Sequence, residues 1–250
     1  MDANNYDSVQ AAEPLLLLPG LMCDSRIFAA QFARFESAVP AADYGDADDL
    51  GDMAVRVLAA APPHFAVLGH SMGARVALEI IRQAPERVTR LALVSTGVHL
   101  PTPQEAPKRH ALRDLGRAEG IVALVDAWLP PMVADARRDD VALMARLHAM
   151  CVAAGLGRFE AQIAALLGRR EVESMLPTIT CPVLVAVGRE DRWSSPEQHE
   201  KIAAQIPHSR LVVIDGAGHM LPVEMPDALN DAILGWRALP ITRIVQGENV

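Results

Sequence analysis

A β-type run ending in Val67-Leu68 passes without a break into Gly69-His70-Ser71-Met72-Gly73 and then into the helical pattern Ala74-Arg75-Val76-Ala77-Leu78. A strand that must reverse into a helix within so few residues forces the residue at the bend into a strained conformation. Glycines on either side leave the backbone room to pass. This Gly-x-Ser-x-Gly order is that of a nucleophile elbow, and it constrains the fold around it. Ser71 must project at the carboxyl edge of a sheet, beside the first turn of a helix whose free N–H groups and positive dipole end suit an anionic intermediate. The Met72 N–H is a candidate oxyanion donor.

The rest of the chain supplies strands and helices in alternation. Leu15 to Leu18, closed by Pro19-Gly20, read as a strand buried on both faces. Asp24 or Ser25 can cap a helix running through Phe28, Phe32 and Phe35. A short Ala38-Val39 strand follows, then an acidic loop and a helix over about 48–60. Asp46, Asp48, Asp49 and Asp52 lack the glycine and terminal Glu spacing of a calcium loop, so they read as loop and N-cap charges. Further strands are expected at His64 to Leu68, Leu91 to Ser95, Pro182 to Gly188 and Leu211 to Asp215, with a helix starting at Pro196. Such alternation implies right-handed βαβ units and an open, mostly parallel sheet.

Residues 97–176 break the pattern. Pro101, Pro103 and Pro107 precede Ala/Leu-rich stretches with helical spacing near 109–117, 120–128, 139–154 and 158–167, and no strand is legible among them. A helical insertion after a strand's carboxyl end lies over the site which that end presents. The expected organisation is a core of residues 14–96 and 177–240, an all-helical cap of residues 97–176 over Ser71, and tails of residues 1–13 and 241–250.

A serine alcohol needs an adjacent base, and the base needs a carboxylate to fix its tautomer. Asp191 follows the strand ending at Gly188, and His219 follows the next strand within Asp215-Gly216-Ala217-Gly218-His219. Ser71, Asp191 and His219 therefore stand in the chain order Ser, Asp, His, each just after a strand. The neighbouring candidates have plainer readings. His70 packs under the elbow, and Cys23 is a small buried residue. Arg109, Arg113 and Arg117 share a solvated helix face. Met132, Met144, Met150 and Met175 either form an adaptable apolar pocket or simply pack the helices. His99, at the start of the insertion, can line the pocket, and Trp128 can form a wall.

Composition excludes several partners. A net charge of −8 without a basic run argues against nucleic acid and acidic membrane surfaces. No apolar stretch approaches the roughly 18 residues needed to span a bilayer, and the leading residues are polar and acidic rather than a basic targeting segment. Cys23, Cys151 and Cys181 are odd in number and widely spaced, which suggests neither a disulfide framework nor a zinc site. The expectation is a soluble cytoplasmic protein without metal or cofactor; its oligomeric state is left open.

From Leu15 to about Trp236 the chain resembles the α/β-hydrolase fold superfamily. The Gly-His-Ser-Met-Gly elbow, the stretch Ile179 to Gly188, the Asp191 loop, and Gly218-His219 followed by Pro222-Val223-Glu224 carry the likeness. Gln162 with Leu166, Arg169, Arg170 and Leu176 is similar to the group of 3-oxoadipate enol-lactonases and related carboxylesterases. The chain departs from the superfamily in two places. The loop after the first central strand begins Pro19-Gly20 rather than His-Gly, which leaves the Leu21 N–H as the second oxyanion donor. The lead before Leu15 is too short for the two strands that relatives carry there, so the sheet is expected to be trimmed to about six strands. The resemblance implies a cofactor-free serine hydrolase that cleaves a small or medium carboxylic ester or lactone through an acyl-enzyme. C–C bond hydrolysis of a dicarbonyl compound or acyl transfer would use the same triad. A hydrolase-like protein that only binds its ligand is the alternative of another class.

Overall fold

The computed structural model describes residues 13–241, so the expected tails lie outside the described residues but for Glu13 and Ile241. Six strands, β1 (Leu15–Leu18), β2 (Ala38–Pro40), β3 (Phe65–His70), β4 (Val88–Val94), β5 (Val183–Gly188) and β6 (Ser209–Ile214), form one sheet of order β2-β1-β3-β4-β5-β6. Every neighbouring pair is parallel. Among the described residues, the six-stranded parallel α/β sheet expected from the sequence is what forms.

Burial follows the order of the strands. β1, β3 and β5 are buried at every residue, whereas β2 and β6 at the sheet edges are partly exposed. Strands buried on both faces need helices on both, and the continuous Leu, Val and Ala runs reflect this. The helices are α1 (Ala29–Arg34), α2 (Leu50–Ala60), α3 (Met72–Gln83), α4 (Glu105–Glu119), α5 (Ile121–Trp128), α6 (Val141–Leu167), α7 (Pro196–Gln205), α8 (Leu221–Glu224) and α9 (Pro226–Arg237). α2 packs on α3, α1 on α9, and α7 against β5 and β6. Asp49 caps α2 by accepting the Gly51 N–H at 2.7 Å. The helix expected through Phe28 and Phe35 is instead a 3₁₀ turn, Ser25–Phe28, capped by Asp24 and running into the short α1.

β3 extends two residues past the sequence expectation because Gly69 and His70 pair with Leu93 and Val94 of β4. Ladder pairing overrides the low strand propensity of glycine. The chain leaves β1 towards β2 on one side and returns through β3 on the other. At this switch point the carboxyl ends of β1 and β3 leave a crevice, and both the Pro19 to Cys23 loop and Ser71 open into it.

Between β4 and β5 the structure holds α4, α5 and α6, packed on one another, and no strand. Against expectation, α6 is long and apolar enough to cross a bilayer by length and composition alone. Gly155, at φ 78° and ψ 163°, breaks it in two. The break falls between the two helical stretches legible in the sequence. Leu143, Leu147, Phe159 and Ile163 on either side of it are buried in the core.

Candidate active site

Ser71 sits at the junction of β3 and α3 with φ 55° and ψ −115°, a region that costs a non-glycine residue on the order of 1–3 kcal/mol. Its surroundings hold it there. The Ser71 N–H donates to Val94 O at 2.8 Å, and its carbonyl accepts from the Ala74 N–H at 3.1 Å and from Thr96 Oγ1 at 3.0 Å. Both flanking glycines are required by close approach. A Cβ on Gly69 would lie 2.4 Å from Ala74 Cα, and one on Gly73 would lie 2.1 Å from Leu18 O.

Ser71 Oγ lies 2.8 Å from His219 Nε2, and His219 Nδ1 lies 2.9 Å from Asp191 Oδ2. Asp191 accepts at Nδ1–H, so the ring's Nε2 lone pair faces the serine hydroxyl. The carboxylate is itself held. Its Oδ1 accepts the Trp193 and Ser194 N–H groups at 2.9 and 2.8 Å, and its Oδ2 accepts Ser194 Oγ–H at 3.0 Å. Burial works against ionisation of Asp191, but the His219 ring and these N–H groups outweigh it and hold the carboxyl below the usual carboxylate range. The His219 backbone is clamped on both sides: its N–H donates to Met132 O and its carbonyl accepts from His70 Nε2–H, each at 2.8 Å. Buried Glu224 ties the same loop down through the Gly218 and Ala134 N–H groups at 3.0 and 2.8 Å.

The Leu21 and Met72 N–H groups have no acceptor among the described residues, and both residues line the cavity that Ser71 opens into. The loop carrying Leu21 is fixed from outside the sheet. The Met22 N–H donates to Gln162 Oε1 of α6 at 2.8 Å, with Met22 at φ 58°. Such an arrangement offers a nucleophile, a base and two free donors to a carbonyl carbon and its oxygen.

The cavity measures about 300 Å³, and its walls decide one sequence reading and correct another. Leu112, Trp128, Phe159 and Leu166 of the helical segment supply its apolar side, but the segment's valines and methionines do not reach it. Met132 and Met150 are core residues instead, and Met144 and Met175 pack against that core. Arg109 does not lie on a solvated face. It is buried, paired with Glu105 at 2.9 Å, and lines the cavity together with Arg75 and Arg169. Helical spacing could not show this, because the partner that draws Arg109 inward is a second arginine–carboxylate pair, Arg169 with Glu105 at 2.6 Å. Arg113 and Arg117 do remain at the surface.

The sequence reading also missed Ser194, Thr96 and Arg75. Arg75 was legible in principle as the lone charge among residues 72–78, an otherwise apolar run directly after Ser71. His70 packs beneath the elbow as expected, and burial pushes its pKa down to about 3. Burial also lowers that of His199, whose Nε2 accepts the Thr96 N–H at 2.9 Å. In the unfolded chain both rings take up protons below about 6.5, whereas in the folded protein the His70 ring stays neutral through that range and the His199 ring gains its proton only at lower pH than it would unfolded. The unfolded state then binds more protons, so stability falls as pH drops through and below 6.5. The thermal midpoint should therefore decline from pH 7 to pH 5, and less steeply in His70→Asn. An equal slope in that variant would remove His70 from the account.

The model of the alpha/beta hydrolase family matches residues 15–232. Among curated proteins the chain is 29% identical over 180 residues, 68% of its length, to the polyketide synthase ThaQ of Burkholderia thailandensis. It spans 8% of that relative's length and 58% of another's. Among solved structures, a thermophilic esterase from Thermogutta terrifontis superposes with a TM-score of 0.83 at 25% identity, covering 91% of this chain and 90% of that one. The enol-lactonase of Burkholderia xenovorans superposes with a TM-score of 0.79 at 21% identity, covering 92% and 93%.

Proposed function

The chain belongs to the alpha/beta hydrolase family, and from that premise we propose that it is a serine hydrolase cleaving a small or medium carboxylic ester or lactone. The observation that carries this reading is the unbroken chain of Ser71 Oγ, His219 Nε2 and Asp191 Oδ2, with separations of 2.8 and 2.9 Å, at the wall of the cavity. Ser71 Oγ attacks the carbonyl carbon while its proton passes to His219 Nε2. The Leu21 and Met72 N–H groups hold the developing oxyanion. Collapse of that intermediate returns the proton from His219 to the leaving alcohol oxygen and leaves an acyl group on Ser71. Water, deprotonated by His219, then releases the acid. Asp191 keeps the ring in the productive tautomer and stabilises it when charged.

Residues 97–176 act in this reading as a cap over a core of residues 14–96 and 177–240. Support comes from the cavity itself, where Trp128, Phe159 and Leu166 face Ser71 and Met72. A roofed space of this size restricts acyl length and keeps water away from the oxyanion. The three cysteines are free thiols, which suits the reducing cytoplasm.

A fluorophosphonate probe should label the protein at Ser71, as located by peptide mass spectrometry. In the same preparation p-nitrophenyl acetate or butyrate should show a higher kcat/KM than the palmitate, with no jump in rate at the substrate's micellar threshold. An unlabelled Ser71 would reduce the protein to a ligand binder. A preference for palmitate would overturn the cap.

A further inference from the structure

We infer that the cavity holds a carboxylate-binding site centred on the Arg75 guanidinium, so that the ester or lactone cleaved at Ser71 bears a free carboxylate away from the scissile bond. This rests on the serine-hydrolase reading above and names its substrate class.

Positive charge is left over in a buried space. Arg75, Arg109 and Arg169 are all buried, at 7%, 7% and 5% exposure, and all line the cavity. Glu105 serves two of them, Arg169 through contacts of 2.6 and 2.7 Å and Arg109 at 2.9 Å, and those guanidinium groups hold its carboxyl down at about 2. Arg75 forms no ion pair among the described residues. Three guanidinium groups gather around one directly paired carboxylate, and Glu173 acts on Arg75 only from beyond ion-pair distance, so the space keeps a net positive charge. Lys108, exposed at the rim, adds a further cation.

The arrangement of the pair sharpens the point. Arg75 and Arg169 both donate to one acceptor, the His99 carbonyl, at 3.2 and 2.9 Å. Two buried like charges converging on a single carbonyl oxygen is an arrangement that costs free energy unless an anion completes it. Burial, with Arg169 next, lowers the Arg75 pKa to about 9, which leaves it charged at neutral pH. Arg75 stands in the first turn of α3, four residues beyond the nucleophile, and both line the same cavity of about 300 Å³, so an anion on its fork and an acyl carbon at Ser71 belong to one small molecule. A carboxylate matches the planar fork with two parallel N–H···O bonds, and a monoanion suits the one guanidinium that no side chain neutralises.

Two measurements test this. Glutarate titrated into Ser71→Ala should bind, and Arg75→Met in that background should weaken binding by about tenfold or more, with Arg75→Lys in between. In the enzyme with Ser71 intact, Arg75→Met should lower the ratio of kcat/KM for monoethyl glutarate over ethyl hexanoate by about tenfold or more. Circular dichroism reports whether each variant folds, and Arg75→Lys carries the comparison should the Met variant not. Absence of glutarate binding, binding indifferent to Arg75, or tighter binding of inorganic phosphate than of glutarate would overturn the site. Arg75-dependent glutarate binding with neither ester turned over would uphold the site and sink the hydrolase reading instead.

Discussion

Ser71→Ala is expected to lower kcat on a small ester by a factor on the order of 10⁵ to 10⁶, with the folded structure unchanged. The hydroxyl is the atom that forms the covalent intermediate, and what it touches is the His219 ring at 2.8 Å rather than the packed core. The turn does not depend on it either, since the Ser71 backbone groups make the bonds to Val94, Ala74 and Thr96. The measure is kcat for p-nitrophenyl butyrate together with the thermal midpoint. Activity near that of the parent protein would remove Ser71 from the mechanism. His219→Ala should cost a comparable factor, because members of such a set act as a unit. Asp191→Asn should retain more, since the acid is the least costly loss. The Ser194 hydroxyl, 3.4 Å from His219 Nδ1, remains beside the ring in that variant.

Gly73→Ala should be the most damaging of the single-methyl substitutions to stability. The added carbon would stand 2.1 Å from Leu18 O and 2.6 Å from Pro19 O, both backbone atoms of β1 and the loop that follows it. Neither can swing aside as a side chain would. α3 must therefore move away from β1, with a loss of stability on the order of 3 kcal/mol or more. The Met72 N–H moves with it, and a displacement of about 1 Å in a site of this kind costs about a hundredfold in kcat. Gly157→Ala provides the contrast. A Cβ there meets nothing within 4 Å, and alanine in a helix should stabilise by about 0.5–1 kcal/mol. Denaturant midpoints of the two variants check the pair; equal midpoints would mean that the elbow tolerates a side chain.

What the sequence determined by itself was everything that depends on local pattern. The apolar runs of β1, β3 and β5 could only be strands covered on both faces, and their alternation with helices fixed a parallel sheet. The elbow glycines, and two loops each directly after a strand, placed Ser71, Asp191 and His219 at one edge, because a parallel sheet brings all its carboxyl ends together. What lies around them was decided by tertiary structure. The His70 contact to the His219 carbonyl, 149 residues away, and Gln162 reaching 140 residues back to Met22 join segments with no sequence relation. The cavity wall is the clearest case. Helical spacing told that Arg109 lies on a face of α4 but not which face turns inward, and the answer came from Arg169, 64 residues beyond Glu105 and bonded to it. A periodic pattern records where apolar surface must be buried. A buried charge leaves no such record, because its place is set by the partner that the fold brings to it.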